Sequence, residues 1–161
     1  MTMWRSLITY GLSLALSILA IGLPEAARAA EPRMATVAVD IVRASKTPGR
    51  SDPRLEKFRL QLADFSFKKY RLLDTNLVTV EEKKTVSVPL EKGRKLRGKS
   101  LDITFLKVDK EGKVNLRLVI PDVLDTTVSL SLDGVVILGG PAIPSGKNGV
   151  LFLPVTLVNV S

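Results

Sequence analysis

Short runs in which apolar and polar side chains alternate are the feature that most constrains the fold of this chain. The clearest run is Thr126–Leu132, in which aliphatic residues alternate with threonine and serine. Alternation places successive side chains on opposite faces of a strand, so this run predicts a strand with one buried and one wet face. Thr85–Leu90 and Val114–Ile120 alternate in the same way. Several strands must therefore each bury one face.

Further apolar runs predict the remaining strands: Met34–Val42, Phe67–Leu73, Leu77–Val80, Leu101–Val108, Val135–Leu138 and Val150–Val160. Asp74-Thr75-Asn76 has turn composition and divides two of these runs. The runs Val135–Leu138 and Val150–Val160 are nearly all apolar, which predicts central strands buried on both faces. The sequence thus predicts a mainly β fold, an antiparallel β-sandwich or barrel-like sandwich of about eight strands.

One amphipathic helix is predicted near the N-terminus of this β-rich region. Asp52 can accept hydrogen bonds from the free amides of a first turn, and Pro53 fits the first helical position because it has no N–H. Four apolar residues then recur at three- and four-residue spacing: Leu55, Phe58, Leu62 and Phe65. The spacing puts them on one face and predicts about three helical turns packed on the sheet, at an end or edge.

The first thirty residues have the pattern of an export signal. Arg5 provides a positive start, Leu7–Leu23 is apolar, and Ala27 and Ala29 form a small-residue cleavage site. We expect cleavage after Ala29, which makes residues 1–29 a signal peptide and residues 30–161 one β-rich domain, periplasmic or secreted. A retained membrane anchor is the alternative, although the apolar run is shorter than the roughly 20 residues that span a bilayer.

Histidine and cysteine are both absent from the sequence. Their absence removes the usual general base, the usual zinc ligands, thiol chemistry and disulfides. The sequence therefore predicts a protein that is not an enzyme and uses no cofactor or metal. The alternative hypothesis is a small carboxylate-dependent glycan hydrolase that uses Asp122 or Asp125, the nearest acidic pair.

Positive charge is the main hint of a partner. The chain carries a net charge of +8, or +7 without residues 1–29, and such an excess attracts anionic surfaces. Gly93–Gly98 has the basic spacing of sulfated-polysaccharide binders. The candidate polyanion-binding residues are Arg94, Lys95, Arg97 and Lys99. No aromatic residue lies among them, which disfavours nucleic acid. The alternative is a solvated hairpin whose basic residues prevent edge pairing.

Three short segments also resemble exported β-rich proteins of Gram-negative, myxobacteria-like bacteria. The segments are Ser51–Leu55, Phe67–Tyr70 and Gly139–Pro141 before the closing apolar strand. The resemblance implies export and a β-rich fold, and it carries no activity, ligand or site. We therefore expect a non-enzymatic envelope module that binds an envelope protein or an anionic envelope polysaccharide, without stable membrane insertion after the signal is removed.

Overall fold

The structure is a computed structural model that describes residues 31–90, 96, 98–144 and 149–161, with the side chains of 140–142 and 144 left out. The strands it contains are β1 Met34–Ser45, β2 Lys69–Glu81, β3 Thr85–Pro89, β4 Ser100–Val108, β5 Val114–Ile120, β6 Leu124–Leu130, β7 Val135–Pro144 and β8 Gly149–Val160. A helical segment, Pro53–Ala63, lies between β1 and β2. The prediction of a mainly β fold with about eight strands and one short helix is confirmed.

The strands form two antiparallel sheets of four. The helix-side sheet has the order β2-β1-β8-β7, and the open sheet has the order β3-β4-β5-β6. The open sheet is a succession of hairpins, whereas β1 and β8 are neighbours at the centre of the helix-side sheet. Their pairing ends in reciprocal backbone bonds between Met34 and Ser161, at 2.8 and 2.9 Å.

One hydrophobic core is shared by the two sheets. Val37, Val39 and Ile41 alternate along β1 into this core, as the sequence predicts, and Leu116 and Leu118 enter it from β5. All five side chains are fully buried. Burial of such a side chain contributes about 1.5–3 kcal/mol, so this core is the main source of stability in a chain without disulfides.

A second, smaller core lies on the outer face of the helix-side sheet, under the helical segment. Leu55, Phe58 and Leu62 are buried there against Phe152, and Phe65 is half-buried. The predicted apolar face is therefore confirmed. The Lys57 ammonium on the same segment lies 3.0 Å from the buried carboxylate of Asp40, an ion pair whose angle falls short of a hydrogen bond.

The helix itself differs from the prediction in type and place. Pro53–Phe58 is a 3₁₀ helix, and the α-helix α1 covers Arg59–Ala63, so three α-helical turns do not form. The Leu55 amide bonds to the carbonyl of Asp52, three residues back, which tightens the first turn. The segment follows β1 and covers a sheet face, rather than standing at an end or edge.

The predicted turn at Asp74-Thr75-Asn76 is wrong, because β2 runs without a break through it. The β1–β2 register shifts at Ile41/Val42 and leaves Leu73 as an extra residue in β2. The Thr75 hydroxyl donates to the buried carboxylate of Asp40 on β1. Thr75, which has the composition of a turn residue, is instead a partner of a buried acid.

Two further strand predictions need correction. β7 is an edge strand of the helix-side sheet, with Val135 and Ile137 half-buried, although its run predicts a central strand. β8 is central, as expected. β6 ends at Leu130, two residues before the predicted end, and Leu132 is exposed in the turn that follows. The Asp133 amide bonds to the Leu157 carbonyl and directs the chain into the other sheet.

Candidate anion-binding site

Three of the four predicted polyanion-binding residues, Arg94, Lys95 and Arg97, are not among the residues that the structure describes. Lys99 is described, and its ammonium donates to the carbonyl of Pro121 at 2.8 Å and lies 3.7 Å from the carboxylate of Asp122. These contacts connect the start of β4 to the turn between β5 and β6, so Lys99 has a structural role here.

The acidic pair of the hydrolase hypothesis is held in a structural arrangement. Asp125 accepts two hydrogen bonds from the Arg117 guanidinium, at 3.0 and 2.6 Å. Arg117 lowers the pKa of Asp125, whereas a general acid needs a raised pKa. Asp122 is 93% exposed in the turn. In the part of the chain that the structure describes, no three acidic side chains come together as a metal site requires.

The positive charge is concentrated in a different part of the chain. Residues 43–71 contain nine lysines and arginines and three acidic residues, a net charge of +6. The rest of the chain after residue 29 is therefore close to neutral. This segment runs from the end of β1, through the helical segment, into the start of β2.

The register of β1 and β2 brings several of these cations together. Arg43 lies directly opposite Arg71, and Ser45 lies directly opposite Lys69. With Thr47 they line a cavity of about 270 Å³. Residues two apart share a face of a strand, so Arg43 continues the inner face of Ile41 beyond the end of the core, where it is exposed.

A second cavity, of about 400 Å³, lies beside the first along β2. Lys69 and Arg71 line both cavities, and Arg50 is the third cation of the second cavity. We define Arg43, Arg50, Lys69 and Arg71 as the basic cluster. Two adjoining cavities with shared cations can hold more than one anionic group.

Backbone bonds fix the loop that carries Arg50 along β2. The Lys68 amide donates to the Ser45 carbonyl at 3.0 Å, and the Asp52 amide donates to the Tyr70 carbonyl at 2.9 Å. The approach is close at Gly49, where a Cβ would lie 2.9 Å from the Lys69 Cδ atom. The loop therefore has a defined position against the basic cluster.

No carboxylate lies within 4.0 Å of any cation in the basic cluster, among the residues that the structure describes. Like charges directly opposite each other in an antiparallel sheet are destabilising. The Arg43–Arg71 pair thus works against stability. An anion bound between them would remove the repulsion, and arginine binds phosphate, sulfate or carboxylate oxygens in pairs.

Asp52 is the acid that lines the second cavity, and it already has a partner. Arg54 donates to both of its carboxylate oxygens, at 3.0 and 2.7 Å, and this contact lowers the pKa of Asp52 to about 2. The carboxylate is therefore ionised and neutralised by Arg54. Its charge does not compensate the basic cluster.

Local sequence patterns do not reveal this site, because Arg43 and Arg71 are far apart in the chain and meet through strand register. The signal that could have found it is net charge counted by segment, since residues 43–71 hold most of the excess. Spacing in a short loop indicates Arg94–Lys99 instead, and three of these four candidates lie outside the described residues.

Comparisons of the chain with protein-family models, with curated proteins and with solved structures find no match. Among the described residues, none of the helices has the length and apolar character to cross a membrane.

Proposed function

We propose that this chain is a non-enzymatic, exported β-sandwich module that binds an anionic envelope polymer through the basic cluster. The observation that carries the proposal is the Arg43–Arg71 pair, two like charges placed directly opposite each other with no carboxylate beside them in the described residues. Export rests on the signal pattern of residues 1–29. Native sequences depart from such local rules mainly at functional sites, and this pair is such a departure.

A polymer is favoured over a protein partner because the cations form two adjoining positions. Lys69 and Arg71 belong to both cavities, so successive anionic groups of one ligand can occupy them together. A hydrogen bond to a charged group contributes about 1.5–3 kcal/mol, and several such bonds make a firm contact. The strength of such binding falls with salt, because screening acts over about 8–10 Å at physiological ionic strength.

The test is retention on a heparin resin under a salt gradient. The variant combines Arg43→Ser, Lys69→Ser and Arg71→Ser, and we expect at least about a tenfold loss of affinity, since one charge-assisted bond already corresponds to that factor. A thermal melt of the same variant is expected to show an unchanged or slightly higher midpoint, because repulsion is removed.

Two other triple variants have the same change in net charge. Lys84→Ser, Lys107→Ser and Lys110→Ser remove exposed cations elsewhere, and we expect a small loss of retention. Arg94→Ser, Lys95→Ser and Arg97→Ser test the predicted loop. Equal losses of retention in the Arg43/Lys69/Arg71 variant and in the Lys84/Lys107/Lys110 variant would show general charge attraction and refute the proposal. If the Arg94/Lys95/Arg97 variant loses the most retention, the binding site lies in that loop and not at the basic cluster.

A further inference from the structure

A third cavity lies between the helical segment and the start of β2, and its floor is apolar. The cavity has a volume of about 310 Å³, and its floor consists of Leu55, Leu62, Phe65, Phe67 and Tyr70. Ligand pockets have volumes of about 300–1,000 Å³ and are lined mostly by apolar and aromatic side chains. This cavity therefore has the size and lining of a site for a small apolar group.

The floor is rigid because its aromatic side chains are packed on one another. The rings of Phe65 and Phe67 lie with centroids 4.4 and 5.7 Å from that of Phe152. The Tyr70 hydroxyl donates to the carbonyl of Leu62 at 2.8 Å, and burial raises the pKa of Tyr70, so the phenol stays protonated. The polar atom of the floor is thus already satisfied.

Charges at the rim of the cavity cancel in pairs. Asp52 is paired with Arg54, and the Glu56 carboxylate lies 3.3 Å from the Arg59 guanidinium. The rim therefore carries little net charge. It differs in this respect from the basic cluster, which holds uncompensated positive charge.

The apolar cavity and the cationic cavity along β2 adjoin each other. Ser51, Asp52 and Tyr70 line both of them. The anion position near Arg50 and Arg71 thus lies on one side of this shared wall, and the apolar floor lies on the other. Two compartments of opposite character are available to the two ends of one ligand.

We propose that the ligand is an anionic amphiphile, whose anionic group contacts the basic cluster and whose apolar chain occupies the cavity over Phe65 and Phe67. This inference rests on the proposed function and narrows it to an envelope polymer, or a fragment of one, that carries an alkyl or acyl chain. A purely hydrophilic polyanion would leave the apolar cavity unused.

The test is calorimetric titration of the full chain with inorganic phosphate and with ethyl, butyl, hexyl and octyl phosphate, each kept below its micelle concentration. Transfer of one methylene out of water increases affinity about fourfold, so we expect a stepwise rise that stops when the cavity is full. This series uses the unaltered protein, so its outcome does not depend on how a variant folds.

Two variants, one inside and one outside the cavity, test where the alkyl group of the ligand binds. Ala63 lines the cavity and is exposed, so Ala63→Leu is expected to abolish the gain from the longer alkyl groups while phosphate binding stays unchanged. Leu60 is 78% exposed and does not line the cavity, so Leu60→Ala is expected to leave the whole series unchanged. Equal loss from the two variants would overturn the assignment to the cavity.

The outcomes separate this inference from the proposed function. A flat alkyl series, with phosphate binding that Arg71→Ser abolishes, refutes the amphiphile and leaves the anion site standing. Binding to phosphatidylglycerol vesicles together with a flat alkyl series also refutes the amphiphile. It would mean that the basic cluster binds the headgroups of an anionic membrane surface. Phosphate and heparin binding that survives Arg43→Ser, Lys69→Ser and Arg71→Ser refutes the proposed function itself.

Discussion

Two exposed arginines, one on each sheet, have opposite kinds of neighbour. On the outer face of the open sheet, Arg117 is paired with Asp125, and Asp102 accepts hydrogen bonds from Ser87 and Ser100. On the helix-side sheet, Arg43 faces another arginine. Both arrangements are exposed and lie between neighbouring strands. The difference is that Arg117 has a carboxylate partner, whereas Arg43 has a like charge directly opposite it.

The sheets also differ in what covers their outer faces. The open sheet presents hydroxyls to solvent, such as the Thr85–Thr104 pair with 2.8 Å between oxygens. The helix-side sheet has apolar residues such as Val42 and Phe152 on part of that face, and the helical segment covers them. A substitution in the apolar face of the helical segment should therefore lower the free energy of unfolding far more than a substitution on the outer face of the open sheet.

The largest expected effect tests this difference in cover. Phe58→Ala empties a fully buried aromatic position and is expected to lower the free energy of unfolding by about 3–5 kcal/mol. Thr127→Ala, on the exposed face of β6, is expected to change it by less than about 0.5 kcal/mol. Denaturant melts of both variants give the comparison. Similar values for the two would mean that the helical segment is peripheral to stability.

A charge reversal tests the difference in pairing. Arg71→Glu places a carboxylate opposite Arg43, and an opposite-charge pair across strands stabilises by about 0.2–1 kcal/mol, so we expect a more stable protein that is retained more weakly on heparin. The matched variant Arg117→Glu places a carboxylate beside that of Asp125, and the repulsion is expected to make the protein less stable. A loss of stability in Arg71→Glu would contradict the view that the Arg43–Arg71 pair is repulsive.

The smallest expected effect is a dependence of stability on pH. The pKa of Asp52 is lowered from 3.8 to about 2 in the folded chain, chiefly by hydrogen bonds from Arg54. A lowered pKa contributes stability above the unfolded value, and this contribution disappears as the pH falls from about 4 to about 2. Thermal melts across this range should show a shallower decline for Arg54→Gln than for the parent. An identical decline would exclude this pair as a cause.

Most of the fold follows from patterns that can be read in the sequence. The alternation of β5 and β6, the cap at Asp52 and the apolar face of Leu55, Phe58 and Leu62 all depend on neighbours in the chain. The break expected in β2 is wrong because Thr75 serves a buried acid thirty-five residues away. Local composition cannot distinguish that use of a polar residue from a turn.

The candidate site was harder to predict, since its residues meet through tertiary structure. Strand register places Arg43 against Arg71, and backbone bonds to β2 place Arg50 beside them. The loop Arg94–Lys99 was indicated by its spacing alone, and its one described candidate, Lys99, is engaged with Pro121. The net charge of a segment can be counted from the sequence alone. Which charges lie opposite each other across a sheet can be known only from the structure.

The pairing of β1 with β8 also determines when this protein can fold. These strands are neighbours at the centre of the helix-side sheet, although more than a hundred residues separate Met34 from Val160. Contacts between such distant parts of a chain form slowly and require both partners to be present. The helix-side sheet can therefore close only after β8, as well as β1, has left the ribosome. Until β8 is made, β1 lacks one of its two strand partners, whereas the consecutive hairpins of the open sheet need no such distant contact.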